Sequence, residues 1–152
     1  MKHLLLSFLF GILISNFGLS SILDIEPVAE WTEYETVDGV KIEYVFQECN
    51  SQSVSNQTLV LFRFTNTTNK AVTINWKVKT FRNGSCSNCQ SLNKAEFLRS
   101  LDLESGEVYE GDCSSKMDKR GYVFSHFIIK TPGMSDSKLT DFELIEIEVS
   151  EK

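Results

Sequence analysis

The chain is short of positive charge, of histidine and of long apolar runs, and each shortage removes a class of function. Against 21 aspartates and glutamates stand 15 lysines and arginines, for a formal net charge of −6 at pH 7. An acidic balance repels phosphate backbones and anionic lipid surfaces, so neither nucleic acid nor membrane insertion is expected. There are two histidines, His3 and His126. With no G-x-S-x-G elbow and no cofactor motif, nucleophilic catalysis would have to rest on His126, which lies mid-strand among Phe124, Phe127 and Ile128. It reads as a packed or edge histidine. No cofactor is expected, and the chain is not read as an enzyme.

The single long apolar run is at the start. Leu4 to Ile14 follow Lys2 and His3 and precede the small and polar Gly18, Ser20 and Ser21. That is the pattern of a secretory signal, too short for the roughly 20 apolar residues of a membrane span, and cleavage is expected after Ser20. No cysteine adjoins the junction to take a lipid. The organisation expected is therefore a signal peptide over 1–20, a lead-in over 21–30, and one domain over 31–152, a size that suits a single core. Loss of Lys2 takes the net charge from −6 to −7. All four cysteines fall in the exported part, an even number bound for an oxidising periplasmic or extracellular compartment, so disulfides are the default.

Alternation with a period of two runs through that domain. Val72, Ile74, Trp76 and Val78 share one face of a strand, and Asn83-Gly84 supplies a reversal before Cys86 and Cys89. Asp38-Gly39 marks a hairpin between a strand over 31–37 and VKIEYVFQEC, in which Val40, Ile42, Tyr44 and Phe46 alternate. QTLVLFRFTN carries apolar residues on both faces and reads as a strand covered twice. NSQSVSN, TTNK, SSKMDKR and TPGMSDSK read as loops or turns, and Val108 to Cys113 opens a short strand. SLNKAEFLRSLDL has a helical composition but alternates at Phe97, Arg99, Leu101 and Leu103, and is read as a strand. YVFSHFIIK is another two-faced strand. In LTDFELIEIEV, Phe142 and Leu144 are out of phase with Ile145, Ile147 and Val149, as a bulge would explain.

The expected fold class is all-β: an antiparallel two-sheet, immunoglobulin-like β-sandwich of about seven or eight strands. Cys49, Trp76 and Cys113 follow the immunoglobulin order. The gap from Cys49 to Trp76 is too long for neighbouring strands, however, and Gly111 stands where a tyrosine corner would place its ring.

DGVKIEYVFQEC, INWKVKTFRNGSCSNC, LDLESGEVYEGDC and LTDFELIEIEV together resemble a family of small exported proteins of Gram-negative bacteria, which carry an early cysteine, a C-x-x-C after a tryptophan strand and a later Gly-x-Cys. The resemblance covers most of the exported part. It implies export and a β-sandwich, and no activity. Ser105 replaces a proline usual in the family's L-x-P-G turn, which should loosen that turn.

Several constellations could carry chemistry. Of the three ways to pair four cysteines, Cys86 with Cys89 and Cys49 with Cys113 is the expected one, because the close pair needs no fold to meet. In the chain-entropy account the long bridge would contribute about 4 kcal/mol and the short one about 2 kcal/mol. Cys86-Ser87-Asn88-Cys89 also has the spacing of thiol-disulfide oxidoreductases; Arg82, Lys94 or a following helix could lower a thiol pKa there. Four thiolates could ligate zinc, although the spacing lacks two knuckles. Asp102, Glu104, Glu107, Glu110 and Asp112 could hold calcium but match no loop pattern, and a solvated acidic edge is the plainer reading. Asn56, Asn66 and Asn83 begin glycosylation sequons, relevant only in a eukaryote. Trp31, flanked by Glu30 and Thr32, would form a contact surface if exposed. The function expected is a non-catalytic exported module binding a protein of the envelope or surface, ahead of a glycan; the alternative is thiol-disulfide exchange at Cys86 and Cys89.

Overall fold

A computed structural model describes residues 30–50, 56–114, 118–129, 132–133 and 137–152. The expected signal over 1–20 and residues 21–29 of the lead-in lie outside the described residues, as do parts of three of the expected loops. Among the described residues nine strands are present: β1 (Thr32–Val37), β2 (Val40–Cys49), β3 (Gln57–Asn66), β4 (Val72–Arg82), β5 (Ser85–Cys86), β6 (Leu98–Leu103), β7 (Val108–Glu110), β8 (Tyr122–Phe127) and β9 (Leu139–Glu151). All pairings are antiparallel. The two-residue β5 escaped the sequence reading. The ambiguous segment becomes strand only from Leu98, after turns and a 3₁₀ turn over Ala95–Phe97.

The strands form two packed sheets. In the first, β1, β2 and β3 run side by side, and β7 and β8 share the far side of β3. In the second, β9 pairs the length of β4, while β6 and β5 pair β4 on its other side. Local chemistry sets the hairpins. Asp38 and Gly39 have φ of 44° and 81°, Asn83 and Gly84 of 49° and 79°, the left-handed pairs that match the twist of the flanking strands. The suspected bulge in β9 sits at Glu146, φ 52°, opposite Trp76. It turns Phe142, Leu144, Ile147 and Val149 onto the same core.

That core is Trp76 with Ile42, Phe62, Phe64, Ile74 and Leu103, all fully buried. The Trp76 and Phe64 rings lie 4.6 Å apart. A second, smaller cluster covers the opposite face of the first sheet, where Val45, Leu59 and Leu61 pack with Cys49, Cys113, Trp31, Tyr122 and Phe124. The Cys49–Cys113 disulfide belongs to this outer cluster. It ties β2 to the connection after β7 and does not bridge the two sheets beside Trp76, so the immunoglobulin disulfide is absent.

The chain leaves β3 at Gly111 and returns at Gly121, and the two backbones touch there. A Cβ on Gly111 would stand 2.0 Å from the Gly121 carbonyl oxygen. Glycine in the Gly-x-Cys motif is thus a packing requirement. At the other end of β3, Asn66 is fully buried; its Nδ2 donates to the Lys70 and Glu104 carbonyls at 2.7 and 2.9 Å, and its Oδ1 accepts from Thr68 N at 2.9 Å. The Asn66 sequon is therefore a structural clasp and closed to a glycan in the folded protein.

Trp76→Ala should cost about 3–5 kcal/mol in urea unfolding, for a large ring lost from a packed centre. A loss under about 1 kcal/mol would mean the cavity collapses freely, against the fully buried position of the ring.

Candidate functional site

The two sheets close against each other on one side and stay apart on the other. On the closed side, Tyr34 is the extra residue of a bulge in β1, and its hydroxyl accepts a hydrogen bond from Leu144 N of β9 at 2.9 Å. A side chain of one edge thereby satisfies the main chain of the other. On the opposite side, between β6 and β8, lies a cleft of about 480 Å³. Val78 and Val123 form its floor, Leu98 and Arg99 one wall, Tyr122 and Arg120 the other. Arg99 of β6 and Arg82 of β4 reach across to the Tyr122 and Phe124 carbonyls of β8, and the recess persists beside them.

Arg99 decides the electrostatics of this cleft. It is half-buried and donates through Nη1 to the Tyr122 carbonyl at 3.1 Å, with no ion pair among the described residues. Burial pushes its guanidinium down to about 10, so it remains charged at neutral pH. Arg120 is neutralised locally by Asp118, whose carboxylate accepts from its Nε at 2.7 Å and is held down at about 2, foremost by that bond. Lys119 adds a further cation, while Glu96 lies 3.8 Å from Lys94. A positive recess thus sits in an acidic protein.

The C-x-x-C loop forms the end of the same cleft through Asn88. Its sulfurs are joined, Cys86 to Cys89. Asn88 accepts from Thr80 N at 2.9 Å and donates to the Val78 carbonyl at 2.8 Å, and Ser87 N donates to the Thr80 carbonyl at 2.9 Å. Both intervening residues are spent on fastening the loop to β4. The thiol-activating features entertained from the sequence fall elsewhere: turns replace a following helix, and Arg82 extends to the Phe124, Ser125 and Ser137 carbonyls. Lys94 faces Glu96. With all four cysteines in disulfides, none remains as a zinc ligand.

The other candidates are scattered. His126 contacts Ser125 Oγ through Nδ1 at 3.0 Å and Thr58 Oγ1 through Nε2 at 3.5 Å, as a histidine of an edge strand would. In the acidic run, Asp102 meets Lys152 at 2.8 Å, Glu107 accepts from Glu104 N, Glu110 lies 3.8 Å from Arg63, and Asp112 accepts from Ser114 N. Among the described residues no three acidic, histidine or cysteine side chains are grouped to hold a metal ion. Trp31 is half-buried on the outer cluster, with the Arg63 guanidinium 4.5 Å from its ring centroid. Arg63 is held in turn by Glu43 at 2.8 Å.

Sequence reasoning missed the cleft. Arg99 looks like any polar residue of an alternating strand, and Tyr122 is far from it along the chain. Among the described residues no helix is long and apolar enough to cross a membrane. No protein-family model, no curated protein and no solved structure matches the chain.

Two measurements test this description. Arg63 foremost holds the buried Glu43 carboxyl below its ordinary 4.5, so the pair's stabilisation is complete above that pH and fades as acid protonates the native carboxylate. Glu43→Gln should cost about 2 kcal/mol at pH 7 and flatten the acid decline of melting temperature. An unchanged acid limb would remove Glu43 from it. In graded glutathione, the bridge ending at exposed Cys89 should open before the one anchored at buried Cys49. Alkylation and mass spectrometry would show the order, and the reverse would overturn the assignment of Cys49–Cys113 as the main staple.

Proposed function

We propose that the chain is an exported, non-catalytic β-sandwich that binds a protein of the cell envelope or surface through the cleft between β6 and β8. The observation that carries this reading is the one-sided closure of the sandwich: Tyr34 seals β1 against β9, while the β6–β8 side keeps a recess with an apolar floor and a charged wall. Recesses of a few hundred Å³ with few convergent polar groups are the usual form of a binding site. The apolar side chain of Leu98, half-exposed at the rim of the cleft, enlarges the surface a partner could cover.

Export is supported by the leader pattern of Lys2 and Leu4 to Ile14 and by two disulfides, which persist in oxidising compartments. An immunoglobulin-like arrangement of the strands is supported by the pairings β3 with β8 and β4 with β9, which join strands far apart in the chain across alternate sheets. The likeness to small exported Gram-negative proteins rests on the same cysteine spacing, with the Gly111 contact as its physical content. Disulfide exchange at Cys86 and Cys89 is the weaker reading, because no helix N-terminus and no free cation attends either sulfur among the described residues.

The oxidised chain, immobilised and exposed to envelope extract, should retain a protein that excess free chain displaces. Ser100→Trp, a bulky ring at an exposed cleft position, should abolish retention without moving the melting temperature. Failure to retain any protein, together with clean turnover of scrambled ribonuclease that Cys86→Ala abolishes, would overturn the reading in favour of exchange.

A further inference from the structure

We propose that the cleft between β6 and β8 takes an acidic peptide segment, with Arg99 receiving a carboxylate and the valine floor receiving the neighbouring apolar side chain. This rests on the binding reading above and names its ligand class. The argument begins with Arg99. Its guanidinium has five donors, of which the described residues engage one, at the Tyr122 carbonyl. Its remaining nitrogens are not fully buried, since Trp76 Nε1 is the sole described side-chain polar atom buried without a partner, and the residue lines the cleft. A guanidinium in a recess with no direct ion pair among the described residues, feeling the Asp118 charge only at longer range, is costly to bury, and its fork fits a carboxylate with two parallel hydrogen bonds.

Charge complementarity selects an anion. Arg99 and Lys119 line the recess against Glu96, with Arg120 neutralised by Asp118, so an excess of positive charge remains there in a chain of net charge −6. Outside this recess the long charged faces are self-paired: Lys79 with Glu143, Lys70 with Glu151 and Lys152 with Asp102. The floor selects against a bare inorganic ion. Val78 and Val123 are each nearly buried beneath the arginine, and Leu98 is 50% exposed at its rim, so a ligand presenting a carboxylate beside an aliphatic group gains from both.

Main-chain geometry favours a peptide. β8 is an edge strand on this side, and its Tyr122 and Phe124 carbonyls accept from Arg99 and Arg82. Where the ladder is regular, at Tyr122 opposite Leu61, a residue's N–H points the same way as its carbonyl, so the Tyr122 N–H is turned toward the recess, where an extended segment could accept from it.

The test uses the full chain with both disulfides formed and three probes: acetyl-Leu-Glu-Leu amide, the same peptide with Gln, and sodium phosphate. Arginine side-chain NMR should show the Arg99 Nε–H signal moving with the Glu peptide, which should bind about tenfold tighter than the Gln peptide. Arg99→Gln should erase that preference, and Arg99→Lys, which keeps charge but loses the fork, should reduce it while serving as the folded control. Phosphate moving the Arg99 signal as far as the Glu peptide would reassign the recess to inorganic anions. Equal binding of the two peptides, or no shift with any probe, would overturn the proposal. Retention of an envelope protein that Ser100→Trp abolishes but Arg99→Gln spares would leave the binding reading standing and remove the acidic ligand alone.

Discussion

Leu59 and Leu61 point away from the main core, and their need for cover shapes most of what surrounds β3. A strand apolar on one face packs once and leaves water on the other. A strand apolar on both faces must be roofed twice. The inner roof of β3 is the second sheet with Trp76. The outer roof includes Cys113, which follows β7 and is bridged to Cys49, with Trp31, Tyr122 and Phe124 beside it. Cys113 lies outside the strand ladders, and fixing such a segment against a distant strand is the task a long-range disulfide performs best. The Gly111–Gly121 contact closes the neck of the excursion, so covalent and steric constraints act on the same connection.

Splitting the far side of β3 between β7 and β8 has a consequence at the sandwich edge. β7 is only Val108–Glu110 and β8 only Tyr122–Phe127, so neither gives the first sheet a full-length border there. On the opposite border the 13-residue β9 and the hairpin strand β1 come close enough for Tyr34 to reach Leu144 N. Arg82 and Arg99 do the corresponding work on the short side, donating to the carbonyls of Phe124 and Tyr122. Arginine is a poorer seal than tyrosine because its charge needs solvent or a counter-ion, and so a recess persists where the guanidinium stands.

Much of the fold was legible because its determinants are local. Asp38-Gly39 and Asn83-Gly84 fix two hairpins by backbone conformation, and the phase slip between Leu144 and Ile147 is a bulge written in the order of residues. What was not legible depends on partners distant in sequence. Asn66 has the letters of a sequon, and only the meeting of Lys70 and Glu104 around its amide makes it a clasp. The cysteines of C-x-x-C suggested reactivity by spacing, whereas the fold occupies Ser87 and Asn88 in extending the edge of β4. Arg99 follows its strand's alternation; that Tyr122 would lie opposite it depends on how the two sheets stagger.

On the binding reading proposed above, the short disulfide acquires a role distinct from stability. A bridge closing four residues removes little chain entropy, far less than the long one. Its position matters more than its energy, since it locks the turn that delivers Asn88 to the end of the recess, where the amide bonds two successive groups of β4. A wall fixed covalently does not have to be ordered when a ligand arrives, and ordering costs are what most often erode affinity in shallow sites. Cys49–Cys113 pins the connection after β7 to β2, while Cys86–Cys89 holds one rim of the cleft in shape. The same chemistry therefore serves the fold at one place and preorganisation at the other.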